Sequence, residues 1–162
     1  MEYDSLLSHN AENIKVEISL REPLLEEARS LDARTILRNP STDEQFISPL
    51  KLTSISRREC YAEKFRAALT RKDPAIRDYF DLHYAVTRLS LNPDEVTLIG
   101  LVRKKLAVGR NRVYPLDSNR ISALADQLEP QLKPVVRNGD YERFDLDLSI
   151  DIVQKMLKKT AP

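Results

Sequence analysis

Three charged side chains stand among apolar neighbours, and each is of a type that can do chemistry. In NIKVEIS, residues 13–19, Ile14, Val16 and Ile18 alternate with Asn13, Lys15, Glu17 and Ser19, the period of a strand with one face on a core. Glu17 belongs to the other face, either wet or held toward a site. In AEKFRAALTR, residues 62–71, a helical period puts Lys64 between Cys60 and Ala68 and near Tyr61 and Phe65, with Glu59, Glu63 and Arg66 on the other side. In IRDYFDLHY, residues 76–84, Asp78 lies beside Leu82 and Ala85. A carboxylate desolvated there must meet a cation or a metal, and Lys64 is the obvious partner. Two readings stay open: an interhelical Lys64–Asp78 ion pair, or a catalytic couple. Lys64 taken alone is equally a lysine whose methylenes pack while its ammonium reaches water.

Other charges are less specific. Asp81 is four residues from Arg77, and an exposed pair worth about 0.3–0.5 kcal/mol accounts for both. His83 falls on the Tyr79/Ile76 side as a packing histidine. Asp145-Leu146-Asp147 has D-x-D spacing but reads as the start of a helix. Arg103, Lys104, Lys105, Arg110 and Arg112 form a basic stretch that offers either phosphate contacts or a solvated surface.

The elements that must position these groups follow from period and punctuation. The first third reads as strands: NIKVEISLR, then ARTILRNP, then QFISPLKLTSI, with NPST at Asn39–Thr42 as a turn. At Ser56 the period changes. Ser56-Arg57-Arg58-Glu59 has the S-x-x-E form of a capping box and predicts a helix over 57–71. Asp73-Pro74 and Asn92-Pro93 predict helices running to about Arg88 and about Leu106, each with a cap residue followed by proline. Residues 108–115 read as irregular and basic. Asp117 or Ser118 caps a fourth helix, interrupted or ended near Pro130 or Pro134, and a last amphipathic helix covers about 148–158. Strands first and helices after make an α+β chain, read as one domain with a β-rich part over 12–55 and a helical part over 56–160.

Bulk composition removes several functions. With 26 Lys and Arg against 25 Asp and Glu, the net charge of +1 gives no global attraction to nucleic acid, so any basic site is local. Cys60 is the single cysteine, which rules out an intramolecular disulfide, and no Cys/His cluster has zinc spacing. The 3 glycines, Gly100, Gly109 and Gly139, are too far apart for a glycine-rich phosphate cradle. No apolar run reaches the roughly 18–20 residues of a membrane span and no signal-peptide pattern opens the chain, which points to a soluble cytoplasmic protein.

NIKVEIS, AEKFRAALTR and IRDYFDLHY, in that order, resemble the AbiEii/AbiGii-type nucleotidyltransferases, toxins of bacterial toxin–antitoxin and phage-defence systems. The likeness is close over about 13–84 and loose beyond. It implies a polymerase-β-like fold and transfer of a nucleotidyl group from an NTP, with Mg2+, to an acceptor such as tRNA. By the resemblance Glu17 matches a metal-binding carboxylate of the second sheet motif, Lys64 the helix lysine and Asp78 the aspartate of the R-D-x-x-D block, these three being the expected catalytic residues. Lys15, Arg77 and Asp81 are the expected nucleotide-binding neighbours, and Arg110 and Arg112 possible RNA contacts. Metal ions would neutralise the triphosphate, carboxylates hold the metals, and a lysine offset phosphate charge.

One departure is serious. The family's first motif, a glycine-serine or glycine-threonine turn with D-x-D about ten residues on, should precede NIKVEIS, and MEYDSLLSHNAE does not contain it. The chain therefore reads as the C-terminal portion of such an enzyme, inactive or incomplete alone and without tight binding of metal or NTP. The rival expectation is a non-catalytic module that holds an antitoxin protein or RNA. A missing N-terminal part also predicts an uncovered sheet edge and a homodimer.

Overall fold

The strand-to-helix change at Ser56 divides the molecule. The structure, a computed structural model, describes residues 2–4, 11–13, 23–35, 38–109 and 111–161. Among the described residues before Ser56 lie two antiparallel two-stranded sheets, β1 (Glu2–Asp4) with β2 (Ala11–Asn13), and β3 (Arg29–Ala33) with β4 (Leu50–Ser54). Residues 14–20, most of the expected NIKVEISLR strand, lie outside the described residues.

The β3–β4 register sets Leu31 opposite Leu52 and Ala33 opposite Leu50, so one face is aliphatic. The other carries Ser30 opposite Thr53 and Asp32 opposite Lys51, the last two ion-paired at 3.3 Å. On the aliphatic face Leu31, Leu50 and Leu52 are all more than half exposed, as are the nearby Phe46 and Ile47. The strand expected over ARTILRNP does not extend through Arg34 and Thr35. The strand ends at Ala33, and from Asn39 the chain closes a turn in which Asn39 and Glu44 share a backbone hydrogen bond of 2.8 Å. Asp43 takes a left-handed φ of 56° and pairs with Arg38 at 2.8 Å.

After Ser56 come α1 (Arg57–Thr70), α2 (Ile76–Arg88), α3 (Val96–Ala107), α4 (Ser118–Ala125), a π-helical turn at Leu128–Leu132, a 3-10 turn at Lys133–Val135, α5 (Asn138–Tyr141) and α6 (Leu146–Thr160). Helices α1, α3, α6 and α2 pack in a ring, each against the next, and the π-helical turn lies on α2. Their inward residues, among them Phe65, Leu69, Tyr79, Leu82, Leu98, Val102, Leu132, Val153 and Met156, form one buried core with Leu124 of α4. No helix among the described residues is long and apolar enough to cross a membrane.

The first helix starts as its capping pattern predicts, with Ser56 Oγ accepting from Glu59 N at 3.0 Å. Asp117 caps α4 and Asp145 caps α6 in the same way, each at 2.9 Å. The expected starts at Asp73-Pro74 and Asn92-Pro93 need correction. The α2 helix begins at Ile76, whose N–H is taken at 2.9 Å by Gln127 Oε1, a residue of the α4 region. The α3 helix begins at Val96, because Asn92 spends its side chain on Asp94 N at 2.9 Å in a local turn.

Glu59 also departs from its expected role. Its carboxylate turns inward to Lys105 Nζ at 2.9 Å, and it accepts Leu25 N at 2.9 Å and Glu26 N at 2.8 Å. Both side chains of this ion pair are buried. Lys105 thus leaves the basic stretch proposed for phosphate contact. The strap at 25–26 that leads into β3 is pinned to α1 and α3 by this carboxylate, and Glu26 in turn receives Arg58 at 3.0 Å.

Candidate functional site

Helices α1 and α2 cross where Lys64, Asp78 and Asp81 meet. The buried face of α1 runs through Glu59, Ala62, Phe65, Ala68 and Leu69, so Lys64 sits at its edge rather than in the middle of an apolar stripe. From that edge its ammonium reaches Asp78 Oδ1 at 3.3 Å and Asp81 Oδ2 at 2.7 Å. The exposed Asp81–Arg77 pair expected from spacing gives way to this interhelical pair, while Arg77 faces solvent. The reason is geometric: from α1 a single lysine can touch two acids one helical turn apart.

Asp78 is nearly enclosed, its side chain 5% exposed, in the first turn of α2 where the helix dipole favours a negative charge. Arg71, in the α1–α2 loop, approaches Asp78 Oδ2 with its Nε at 3.2 Å, yet that oxygen receives no hydrogen bond of good geometry. Arg71 was not singled out from sequence; its signal was a cation in the short connection ahead of a buried acid. Arg120 holds this connection in place. Buried beneath Tyr114, it donates to Ala68 O in the last turn of α1 at 3.0 Å and to Lys72 O in the loop beyond it at 3.1 Å. Gln127 Nε2 adds a bond to Pro74 O at 2.8 Å.

The electrostatics fix the charge state of Lys64. Burial alone would lower its pKa, but the hydrogen bond and charge of Asp81, and then of Asp78, outweigh that and raise it above the usual lysine value. Lys64 is a permanent cation and not a base at neutral pH. Its ammonium has three N–H donors, of which the two aspartates engage two. With its side chain 35% exposed, the group stays accessible to a ligand.

His83 is buried edge-on against the Phe144 ring, with centroids 5.3 Å apart. Burial, only partly offset by the charge of Asp145, pushes its pKa down and keeps it neutral, in line with a packing role. Glu17, Lys15 and Arg110 lie outside the described residues. Arg112 is exposed and sits over the Tyr114 ring at 5.4 Å. Among the described residues no three His, Cys, Asp or Glu side chains cluster to hold a metal ion. Two cations surround Asp78 and Asp81 and cancel their charge, so these residues by themselves do not fit a resident divalent metal.

No curated protein and no solved structure matches the chain. The sequence model of one family, described as nucleotidyl transferase AbiEii toxin of type IV toxin–antitoxin systems, matches residues 1–154. With that match over nearly the whole length, the chain belongs to the AbiEii nucleotidyltransferase toxin family.

Proposed function

We propose that the α1–α2 crossing is the triphosphate-facing part of a nucleotidyltransferase site, with Lys64 and Arg71 as phosphate ligands and Asp78 and Asp81 as the groups that hold Lys64 in place. The observation that carries this reading is the accessible Lys64 ammonium, fixed by two aspartates and left with one N–H donor for an incoming oxygen. Charge builds on phosphate oxygens during such a transfer, and a preorganised cation lowers that barrier. Glu17, and Lys15 beside it, are proposed to contribute from the sheet, Arg77 from the exposed side of α2, and Mg2+ to be held by carboxylates beyond the described ones.

These 162 residues hold no glycine-serine turn followed by D-x-D. We therefore expect the chain alone to leave a labelled NTP unused, and transfer to an RNA acceptor to appear when a segment carrying that motif is joined upstream. Gel detection of labelled RNA checks both arms; a joined protein that stays inert overturns the catalytic reading. If the acceptor is tRNA, Arg112 is expected to touch its phosphates. Arg112→Ala should then weaken binding and reduce the slope of affinity against salt by about one, as measured by fluorescence anisotropy over a salt series.

A second reading rests on the β3–β4 face. Exposed aliphatic side chains on a short open sheet favour a protein contact, and self-association is the simplest. We expect a dimer by light scattering that Leu52→Lys converts to monomer; monomeric native protein dismisses it. An antitoxin counterpart is implied by the family, and this face is where a protein partner of that kind would dock.

A further inference from the structure

Immediately along α2 from the lysine–aspartate crossing lies a groove of about 370 Å³, lined by Phe80, Asp81, Tyr84, Val136, Arg137 and Asp140. We propose that this groove receives the base and ribose of a nucleotide whose phosphates rest on Lys64 and Arg71, an inference that builds on the function proposed above. Five observations lead there.

Asp81 belongs to both places, lining the groove and touching Lys64 at 2.7 Å, so the groove and the crossing adjoin. The groove has a prepared aromatic platform. Phe80 is held edge-on by Phe144 with centroids 5.6 Å apart, and Tyr84 stacks on Phe80 at 6.0 Å and 29°. Each nucleobase has a π-face that such a ring accepts.

The opposite wall offers a donor and an acceptor. Arg137 is exposed and has no ion-pair partner among the described residues, while the nearest cation to Asp140 is Arg143 at 4.0 Å. A guanidinium and a carboxylate lining one groove suit a base edge or a ribose hydroxyl pair. The charge pattern also decides which end of the nucleotide goes where. Asp81 is already paired with Lys64, so Arg137 and Asp140 leave the groove with no net positive charge to draw a polyphosphate, whereas the crossing offers the spare Lys64 N–H and the half-exposed Arg71. The volume falls within the roughly 300–1,000 Å³ of small-molecule sites.

The test titrates the chain, free of divalent metal, with inorganic tripolyphosphate, with each of the four NTPs and with the four nucleosides, following backbone amide shifts by NMR up to millimolar ligand. NTPs are expected to bind about tenfold more tightly than tripolyphosphate and to shift the amides of Tyr84, Arg137 and Asp140 as well as those near Lys64. Tyr84→Ala should erase the tenfold difference and leave tripolyphosphate binding unchanged. Tyr84→Phe, which keeps the ring, should preserve it, and Arg137→Ala should reduce it in a chain whose core is untouched. Equal binding of tripolyphosphate and NTP, or an NTP advantage that survives Tyr84→Ala, overturns the groove while leaving the phosphate role of Lys64 standing. Nucleosides shifting the groove amides with tripolyphosphate silent supports the groove and removes that phosphate role. Silence from every ligand overturns both.

Discussion

Glu59→Ala is expected to destabilise the protein by about 3–5 kcal/mol, a large fraction of the roughly 5–15 kcal/mol that holds a typical domain folded. The carboxylate is fully buried and meets Lys105 Nζ at 2.9 Å, with the lysine side chain 4% exposed. Removing it takes a fully buried 2.9 Å carboxylate contact from the Lys105 ammonium and the acceptor from two backbone N–H groups, Leu25 and Glu26. Glu59→Leu combined with Lys105→Met should recover part of the loss and not all, because the pair goes but the two N–H groups stay unsatisfied. Urea midpoints give the energies. Hydrogen exchange at Leu25 and Glu26 reports whether the strap has come loose, and a variant that leaves both midpoint and exchange unchanged refutes the anchoring role.

The same carboxylate carries a pH signature. Burial alone would raise its pKa, but the Lys105 hydrogen bond, the two N–H groups and the Lys105 charge together hold it below the usual value. A depressed acid contributes stability that is present above its unfolded pKa of about 4.3 and is lost as pH falls through the folded value. Denaturation midpoints measured from pH 6 downward should show that loss in the native chain and a shallower slope in Glu59→Gln.

In the motif-completed protein, Lys64→Met is expected to reduce nucleotidyl transfer by about 10²–10³-fold, the range for removing one preorganised donor from a developing charge. The loss should fall mainly on kcat, since the cation matters most when phosphate charge is greatest. Asp78→Asn should act through Lys64, loosening it and leaving Arg71 beside a neutral amide. The double variant should then be scarcely worse than Lys64→Met, as for groups acting together. Rates that multiply, or a Lys64→Met enzyme of native activity, contradict the assignment. The raised pKa of Lys64 sets one more expectation: its ion pairs stabilise the fold fully below the unfolded lysine value of about 10.4 and fade as pH rises through the folded one. Transfer should therefore show no lysine-dependent limb near neutrality.

Some of this was readable from residue types and spacing because the determinants are local. A serine before a helical period, or an aspartate at 117 or 145, bonds an N–H three residues on, and the structure has each bond. The Lys64–Asp78 meeting was legible for another reason: an acid near an apolar stripe must find a cation, and few are in reach. The start of α2 was not legible, since the group that caps it is Gln127, from the end of α4. Glu59 satisfied a local rule and a distant one with the same residue type, and only packing decides that its carboxylate turns to Lys105. Arg71 and the aromatic groove escaped notice because their partners come from separate segments.

The grip of one ammonium on two acids of the neighbouring helix also acts as an index mark between α1 and α2. Sliding either rod by one turn, about 5.4 Å, would carry Lys64 past both acids at once, so intermediate axial offsets have no comparable resting place. The short connection at 71–75 is consequently intolerant of inserted residues, whereas the turn at 39–44, which sets no such alignment, can absorb them.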